Sequence, residues 1–194
     1  YTSENNSWLF EFPSLPKGRF NSVCFVYRDS LYVFGGTDNS SNMNEIVRYD
    51  LSTQNSGEWT TIAKVNEANQ RGGVAFVVED KVYAGLGEKS NGIRNGFYVS
   101  SDNLTKWELI PSIPAQLGVI SSGVYDEQKK SFFMIDNDGK IWEYNLTTEQ
   151  WTSRSLWIRM KNYHMFMLDG SIYILGQDIY QKNKFTVYNP IWDN

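Results

Sequence analysis

Cysteine and histidine are almost absent from this chain of 194 residues, which contains one of each, Cys24 and His164. A single cysteine excludes an internal disulfide, and one histidine is too little imidazole for a copper centre that is held by two histidines. We therefore predict no disulfide, no metal site and no cofactor. Because Cys24 lies in the apolar segment Val23 to Val26, we expect it to be a buried structural thiol.

Long apolar runs and blocks of like charge are also missing. No stretch approaches the roughly 20 apolar residues that span a bilayer, so we expect no membrane insertion. Eighteen basic and twenty-two acidic residues give a formal net charge of -4, whereas phosphate binding needs a basic face, so nucleic acid is not an expected partner. No basic and apolar leader opens the sequence, and this does not decide the compartment.

Aromatic residues, by contrast, are abundant. They make up 15% of the chain, with seven Trp, twelve Tyr and eleven Phe, which indicates an ordered, globular protein. Aromatic side chains suit the pleated and half-buried surface of a sheet. No segment shows the 3.6-residue period of an amphipathic helix, and the composition therefore favours strands.

One strand motif recurs four times along the chain. Each copy follows a polar turn and an earlier apolar strand, so each repeat opens with a hairpin, and each is followed by a third strand and a tryptophan. The four copies are Leu31 to Gly36, Val82 to Gly87, Phe132 to Ile135 and Ile172 to Gly176, and the tryptophans are Trp59, Trp107, Trp151 and Trp192.

The spacing of the tryptophans identifies the architecture. Counting from Trp8, successive spacings are 51, 48, 44 and 41 residues, within the range of about 40 to 50 residues typical of a propeller blade. We predict an all-β protein, a β-propeller of four four-stranded blades, in one domain over residues 1–194. The repeats span approximately 17–62, 69–110, 116–154 and 159–192, and an orphan outer strand spans 8–12.

The first repeat carries Gly35-Gly36 at the end of a strand, then Tyr49-Asp50, then Trp59. In these features the chain resembles the kelch family, although Gly-Gly becomes Leu86-Gly87 and then degenerates further in the later repeats. The strand pairs of the first two repeats are also similar to those of secreted or cell-envelope kelch proteins of Bacteroidetes. This resemblance implies a non-catalytic module that binds a glycan or protein ligand through its loops, in the periplasm or outside the cell.

Two alternatives stay open for the ring. Strand 8–12 could complete the last repeat and close a four-bladed propeller, which would protect its edges. Kelch propellers usually have six or seven blades, so the chain could instead be an arc of a larger ring. An open arc would expose apolar surface, which predicts self-association.

A loop in the second repeat carries Gly87-Glu88, three intervening residues to Asn91, then Gly92-Ile93-Arg94. It resembles a segment of N-acetylneuraminate epimerase, the bacterial sialic acid mutarotase. The resemblance implies Glu88 and Arg94 as a catalytic pair, and a sugar mutarotase is the alternative function. A carboxylate can move the proton for ring opening at the anomeric carbon, and a guanidinium can hold a sugar carboxylate.

Three arginines precede or open first strands of the repeats: Arg19, Arg71 and Arg159. We predict that they form a cationic, ligand-binding group near the central channel, which would receive an acidic ligand. The alternative is that they pair with backbone carbonyls or with acids between the blades.

Overall fold

The structure, a computed structural model, describes residue 6 and residues 13–53, 56–92, 96–110, 120–136, 138–157, 161–178 and 180–189. Fifteen strands and two short 3-10 turns, Leu51–Thr53 and Asn66–Ala68, make up its regular structure within these ranges. None of the described helical segments is long and apolar enough to cross a membrane. The predicted all-β class is confirmed.

The strands form four antiparallel sheets, each made of consecutive strands, and these sheets are the four blades of a β-propeller. Blade one contains β1 (Val23–Tyr27), β2 (Ser30–Phe34), β3 (Glu45–Asp50) and β4 (Thr60–Lys64). Blade two contains β5 (Val74–Val78), β6 (Lys81–Gly85), β7 (Phe97–Ser100) and β8 (Glu108–Leu109). Blade three contains β9 (Ile120–Asp126), β10 (Ser131–Asp136), β11 (Lys140–Asn145) and β12 (Gln150–Trp157). Blade four contains β13 (Lys161–Leu168), β14 (Ser171–Gln177) and β15 (Asn183–Tyr188).

Tight hairpins open the blades as the repeat predicts. In blade one Tyr27 pairs with Ser30, and the two residues between them, Arg28 and Asp29, have φ values of 45° and 56°. Two positive φ values in a two-residue loop are the signature of the turn whose twist matches that of the flanking strands. Asp169 and Gly170 take the same conformation in blade four.

Apolar side chains on alternating strand positions hold consecutive blades together. Three core clusters lie between blades one and two, two and three, and three and four. The first strands contact one another in chain order, β1 with β5, β5 with β9 and β9 with β13. Blades two and three therefore each use one sheet face for the preceding blade and the other for the following blade, because successive side chains of a strand point to opposite faces.

Cys24 departs from the sequence expectation. It lies on the face of β1 that points away from blade two, and it is exposed. The prediction of a buried structural thiol was wrong because alternation places Val23, Phe25 and Tyr27, and not Cys24, in the interface with blade two. The proposed closing strand 8–12 and Trp192 lie outside the described residues.

One end of the propeller collects the longer loops. Because the strands of each blade are antiparallel, the segment that enters a first strand and the loop that joins the second and third strands lie at the same end. We call this end the loop edge. It holds the segments from Gly18 to Ser22 and Gln70 to Gly73, together with the loops that follow Phe34 and Gly85.

Candidate functional site

Two of the predicted ligand-binding arginines lie at the loop edge, but not in equivalent positions. Single β-bridges extend the first hairpins of blades one and two, pairing Phe20 with Thr37 and Arg71 with Glu88. Because Val23 pairs with Phe34 and Val74 with Gly85, Arg71 corresponds to Phe20. Arg19 lies one residue earlier, so the side chains of the two arginines leave the backbone in opposite directions.

Arg19 is part of the internal structure of blade one. Its side chain is only 1% exposed and forms an ion pair with Glu45 at 3.0 Å. Its Nη1 donates to the carbonyl of Gly35 at 3.2 Å, and its Nε donates to the carbonyl of Lys17 at 3.4 Å. These partners engage the guanidinium inside blade one, with an acid of the same blade and not with one of a neighbouring blade.

The same ion pair affects the titration of Glu45. Partial burial acts to raise the pKa of this carboxyl, but the hydrogen bond and positive charge of Arg19 outweigh it. Lys64, whose Nζ lies 3.5 Å from the other carboxylate oxygen, adds to the effect. The pKa of Glu45 is therefore lowered, and the carboxylate stays charged beside Arg19.

Arg71 and Glu88 form a second ion pair that is open to solvent. Nη2 of Arg71 lies 3.1 Å from Oε2 of Glu88, and the side chains are 49% and 30% exposed. The backbones of the two residues also exchange hydrogen bonds, at 3.0 Å from Arg71 N and 2.9 Å from Glu88 N. The backbone bridge between Arg71 and Glu88 thus holds their two charged side chains next to each other.

Gly87 permits this close approach. A Cβ atom at Gly87 would lie 2.6 Å from the carbonyl oxygen of Gly72 and 2.7 Å from that of Arg71. Both atoms belong to the backbone, so no side-chain rotation could make room. The glycine that precedes Glu88 is therefore required for the approach of the two chain segments to each other.

Blade one contributes polar groups to the same place. Asn42, in the loop before β3, donates from Nδ2 to the carbonyl of Glu88 at 2.7 Å. Its backbone N–H lies 3.4 Å from Oγ of Ser90. The group formed by Asn42, Arg71, Glu88 and Ser90, which we call the Arg71 site, thus spans the junction of blades one and two. It presents amide, guanidinium, carboxylate and hydroxyl groups at one surface.

Sequence reasoning assigned Arg94 as the partner of Glu88, and it named Arg71 as a candidate ligand-binding residue without pairing it with Glu88. Arg94 lies outside the described residues, so the proposed Glu88 and Arg94 pair stays a prediction, as does the role of Arg159 for the same reason. The hairpin register contains the missing signal. Extending the pairing of Val74 with Gly85 outward by three residues on each strand places Arg71 opposite Glu88.

Blade four carries a separate cavity of about 330 Å³ at the loop edge. The single histidine, His164, lines it together with Leu175 and a chain of amides. Asn162 donates to Gln177 at 3.1 Å, and Gln177 donates to Asn183 at 3.5 Å. Within the described residues, no group of three or more histidine, cysteine and acidic side chains could hold a metal ion.

Comparison with known proteins supports the architecture. The kelch motif matches residues 18–66, which contain blade one and its loop-edge segment. A solved structure titled "Structure of YjhT" superposes with a TM-score of 0.65 over 91% of this chain and 67% of its own, at 10% sequence identity. Among curated protein sequences, none matches this chain. The motif and the fold together support a kelch-type β-propeller.

Proposed function

We propose that this chain is a non-catalytic recognition module that binds a glycan or protein ligand at the Arg71 site. The observation that carries the proposal is the exposed Arg71 and Glu88 pair, flanked by Asn42 from the neighbouring blade. A guanidinium has five N–H donors in a planar fork, and a carboxylate is a strong acceptor. Together they can match the hydroxyl and carboxylate groups of a ligand from one surface.

The contrast with Arg19 supports the choice of this position. Arg19 is enclosed by Glu45 and backbone carbonyls, so a ligand would have to displace buried partners to reach it. Arg71 loses only a half-exposed ion pair, and such pairs contribute about 0–1 kcal/mol. A ligand carboxylate can therefore replace Glu88 as the partner of Arg71, or share Arg71 with it, at small cost.

A sugar mutarotase is the second candidate. The observation that favours a mutarotase is that Glu88 is partly exposed and lies beside the guanidinium of Arg71. In such a reaction Glu88 would accept the proton of the anomeric hydroxyl as the bond between the anomeric carbon and the ring oxygen breaks, and it would deliver that proton to the ring oxygen. A guanidinium would hold the sugar carboxylate. Arg71 is the described guanidinium next to Glu88, whereas the resemblance in sequence pointed to Arg94.

We also propose a location in the periplasm or outside the cell. Only the similarity of the strand pairs to secreted and cell-envelope kelch proteins supports it. Fractionation of the native host, with detection of this chain by a specific antibody, tests the location. Recovery in the cytoplasmic fraction alone would contradict it.

One NMR experiment separates the two functions. The chain is mixed with reducing sugars that include N-acetylneuraminate, and saturation transfer and the exchange between α and β anomers are recorded in the same tube. We compare wild type with Arg71→Met and Glu88→Gln. The control is Glu79→Gln, which changes an exposed carboxylate in the hairpin turn at the opposite end of blade two.

Saturation transfer that disappears in both site variants and persists in the control is the expected result for a glycan-binding module. Accelerated anomeric exchange that Glu88→Gln abolishes would establish the mutarotase. Transfer that is equal in all four proteins would exclude the Arg71 site as the sugar-binding position. Absence of both saturation transfer and accelerated anomeric exchange in wild type would exclude the glycans of this panel as ligands. A protein ligand would then be tested by titration.

A further inference from the structure

An exposed aromatic ring lies beside the Arg71 site, on the loop edge of blade one. Phe20 is 45% exposed, although its backbone pairs with Thr37 in the bridge that extends the first hairpin. Hairpin register makes Phe20 the equivalent of Arg71, so the two side chains leave their blades in the same sense. One exposed phenylalanine is common on a protein surface, so the groups around it decide its role.

Backbone contacts join Phe20 to the Arg71 site. The N–H of Gly72 donates to the carbonyl of Asn21 at 2.7 Å. Standard backbone dimensions and this bond keep the Cα atoms of Phe20 and Arg71 within about 11 Å of each other. A second connection runs through Thr37, which pairs with Phe20 and with Asn42 of the Arg71 site. One ligand can therefore contact both side chains.

The backbone between these two side chains is open. Gly72 has a φ of 67°, and a Cβ atom added there would meet no heavy atom of the described residues within 4 Å, its chain neighbours aside. Its N–H is already used in the bond to Asn21, so no unpaired backbone donor faces this space. A ligand can rest against the chain at Gly72 without displacing protein atoms.

The charged groups of the Arg71 site favour a ligand that both donates and accepts hydrogen bonds. Arg71 has only donors and Glu88 only acceptors, and the two are already paired at 3.1 Å. A hydroxyl can accept from the guanidinium and donate to the carboxylate, which leaves the two charges balanced. A sugar ring carries such hydroxyls at its edge and C–H groups on its faces, and C–H groups suit the negative face of a phenyl ring.

From this arrangement we infer that Phe20 is the aromatic platform of the Arg71 site, and that the ligand is a glycan. A pyranose ring packs against Phe20 while its hydroxyls bind Arg71 and Glu88. The inference rests on the proposed function and narrows its ligand class from glycan or protein to glycan. Blade one then supplies the apolar contact and blade two the polar contact of one binding site.

Titration of the methyl pyranosides of glucose, galactose and mannose, followed by ligand NMR, tests the platform. Sugar protons that face Phe20 should shift upfield in wild type because of the ring current, and Phe20→Tyr should keep this shift. Phe20→Leu should abolish the shift and weaken binding by about threefold to tenfold, because the aromatic part of the contact is lost. Phe166→Leu is the matched control, since Phe166 is 41% exposed but lies on blade four.

A second pair of variants fills the open space without changing the aromatic ring. Gly72→Asn places a side chain beside the platform, and asparagine tolerates the left-handed backbone of this position. It should weaken binding at least as much as Phe20→Leu does. Gly170→Asn is its control, because Gly170 has a φ of 71° and equally open surroundings in the hairpin turn of blade four.

The outcomes distinguish this inference from the proposed function. Binding that requires Arg71 and Glu88 but is unchanged in Phe20→Leu would overturn the aromatic platform and leave the recognition module intact. Equal losses of affinity in Gly72→Asn and Gly170→Asn would also contradict the inference, because the effect would not be local to the site. If no pyranoside binds to wild type, the glycan assignment fails and the proposed function is left with a protein ligand alone.

Discussion

The loop edges of blades one and two are built from the same repeat, yet they use arginine in opposite ways. In blade one, Arg19 points into the blade, is almost fully buried and joins Glu45 to two backbone carbonyls. In blade two, Arg71 points outward and meets Glu88 in a half-exposed pair. The difference arises from a shift of one residue, because consecutive side chains of an extended chain lie on opposite sides.

The comparison separates inward-facing from outward-facing positions of the same loop-edge segment. The position of Arg19 in blade one is occupied in blade two by Gln70, which is fully buried and accepts a hydrogen bond from Gly87 N at 3.0 Å. The position of Arg71 is occupied in blade one by Phe20, which is exposed. Inward positions thus hold the loop edge together, whereas the outward positions of the two blades carry side chains of different chemistry, Phe20 and Arg71.

Removing each arginine in turn should produce the largest difference between the two edges. Arg19→Met should lower the free energy of unfolding by about 3 kcal/mol, because it breaks a largely buried ion pair. Arg71→Met should cost less than about 1 kcal/mol, since an exposed pair contributes little. Urea unfolding followed by tryptophan fluorescence measures both values. Equal losses in the two variants would contradict the distinction between a structural and a surface arginine.

The pH dependence of stability should sharpen the same comparison. The pKa of Glu45 is lowered in the folded chain, so its contribution is complete above the usual pKa of a glutamate and is lost as pH falls through the folded pKa. Wild type should therefore lose stability on acidification below about pH 4.5. In Arg19→Met this loss should be smaller, because the lowered pKa depends on Arg19. Arg71→Met, as the control, should follow the wild-type profile.

The smallest expected effect concerns the first strands of the two blades. Cys24 and Ala75 occupy equivalent positions, but blade one packs against Ala75 while Cys24 is exposed. Cys24 should react with a thiol reagent in the folded chain, and Ala75→Cys in a Cys24→Ser background should react severalfold more slowly.

The pH profile of that reaction provides a further check. Partial burial raises the pKa of the Cys24 thiol, so its midpoint should lie above that of a free cysteine. Ellman's reagent, followed at several pH values, measures the rates. Equal rates at positions 24 and 75 would show that the two faces are covered alike.

The blade architecture could be read from the sequence because it depends on local patterns that repeat. Alternating apolar residues, the turn at Arg28 and Asp29, and the tryptophan that follows the third strand motif in the sequence recur at one period, and each recurrence supports the others. The partner of Glu88 could not be found in the same way. It required the register of the hairpin beyond its regular strands, which a search for short motifs does not follow.

The failure at Cys24 has a related cause. The composition of Val23 to Tyr27 predicts a strand, and the strand exists, but apolar composition does not say which of its two faces meets a neighbour. That assignment depends on the following blade, which covers Phe25 and leaves Cys24 exposed. The same applies to Phe166. Hairpin register aligns it with Phe25, which the following blade covers, yet Phe166 is 41% exposed.

By itself, the sequence determined the all-β class, the hairpins and the four-blade repeat, because these follow from residue alternation and turn chemistry within about 50 residues of chain. Tertiary structure alone decided that Arg19 is internal, that Arg71 joins Glu88 beside Asn42, and that Phe166 and Leu168 of blade four are exposed. These features depend on contacts between segments that are distant along the chain. Such contacts change with a shift of one residue or with the presence of a neighbouring blade, while the local pattern stays the same.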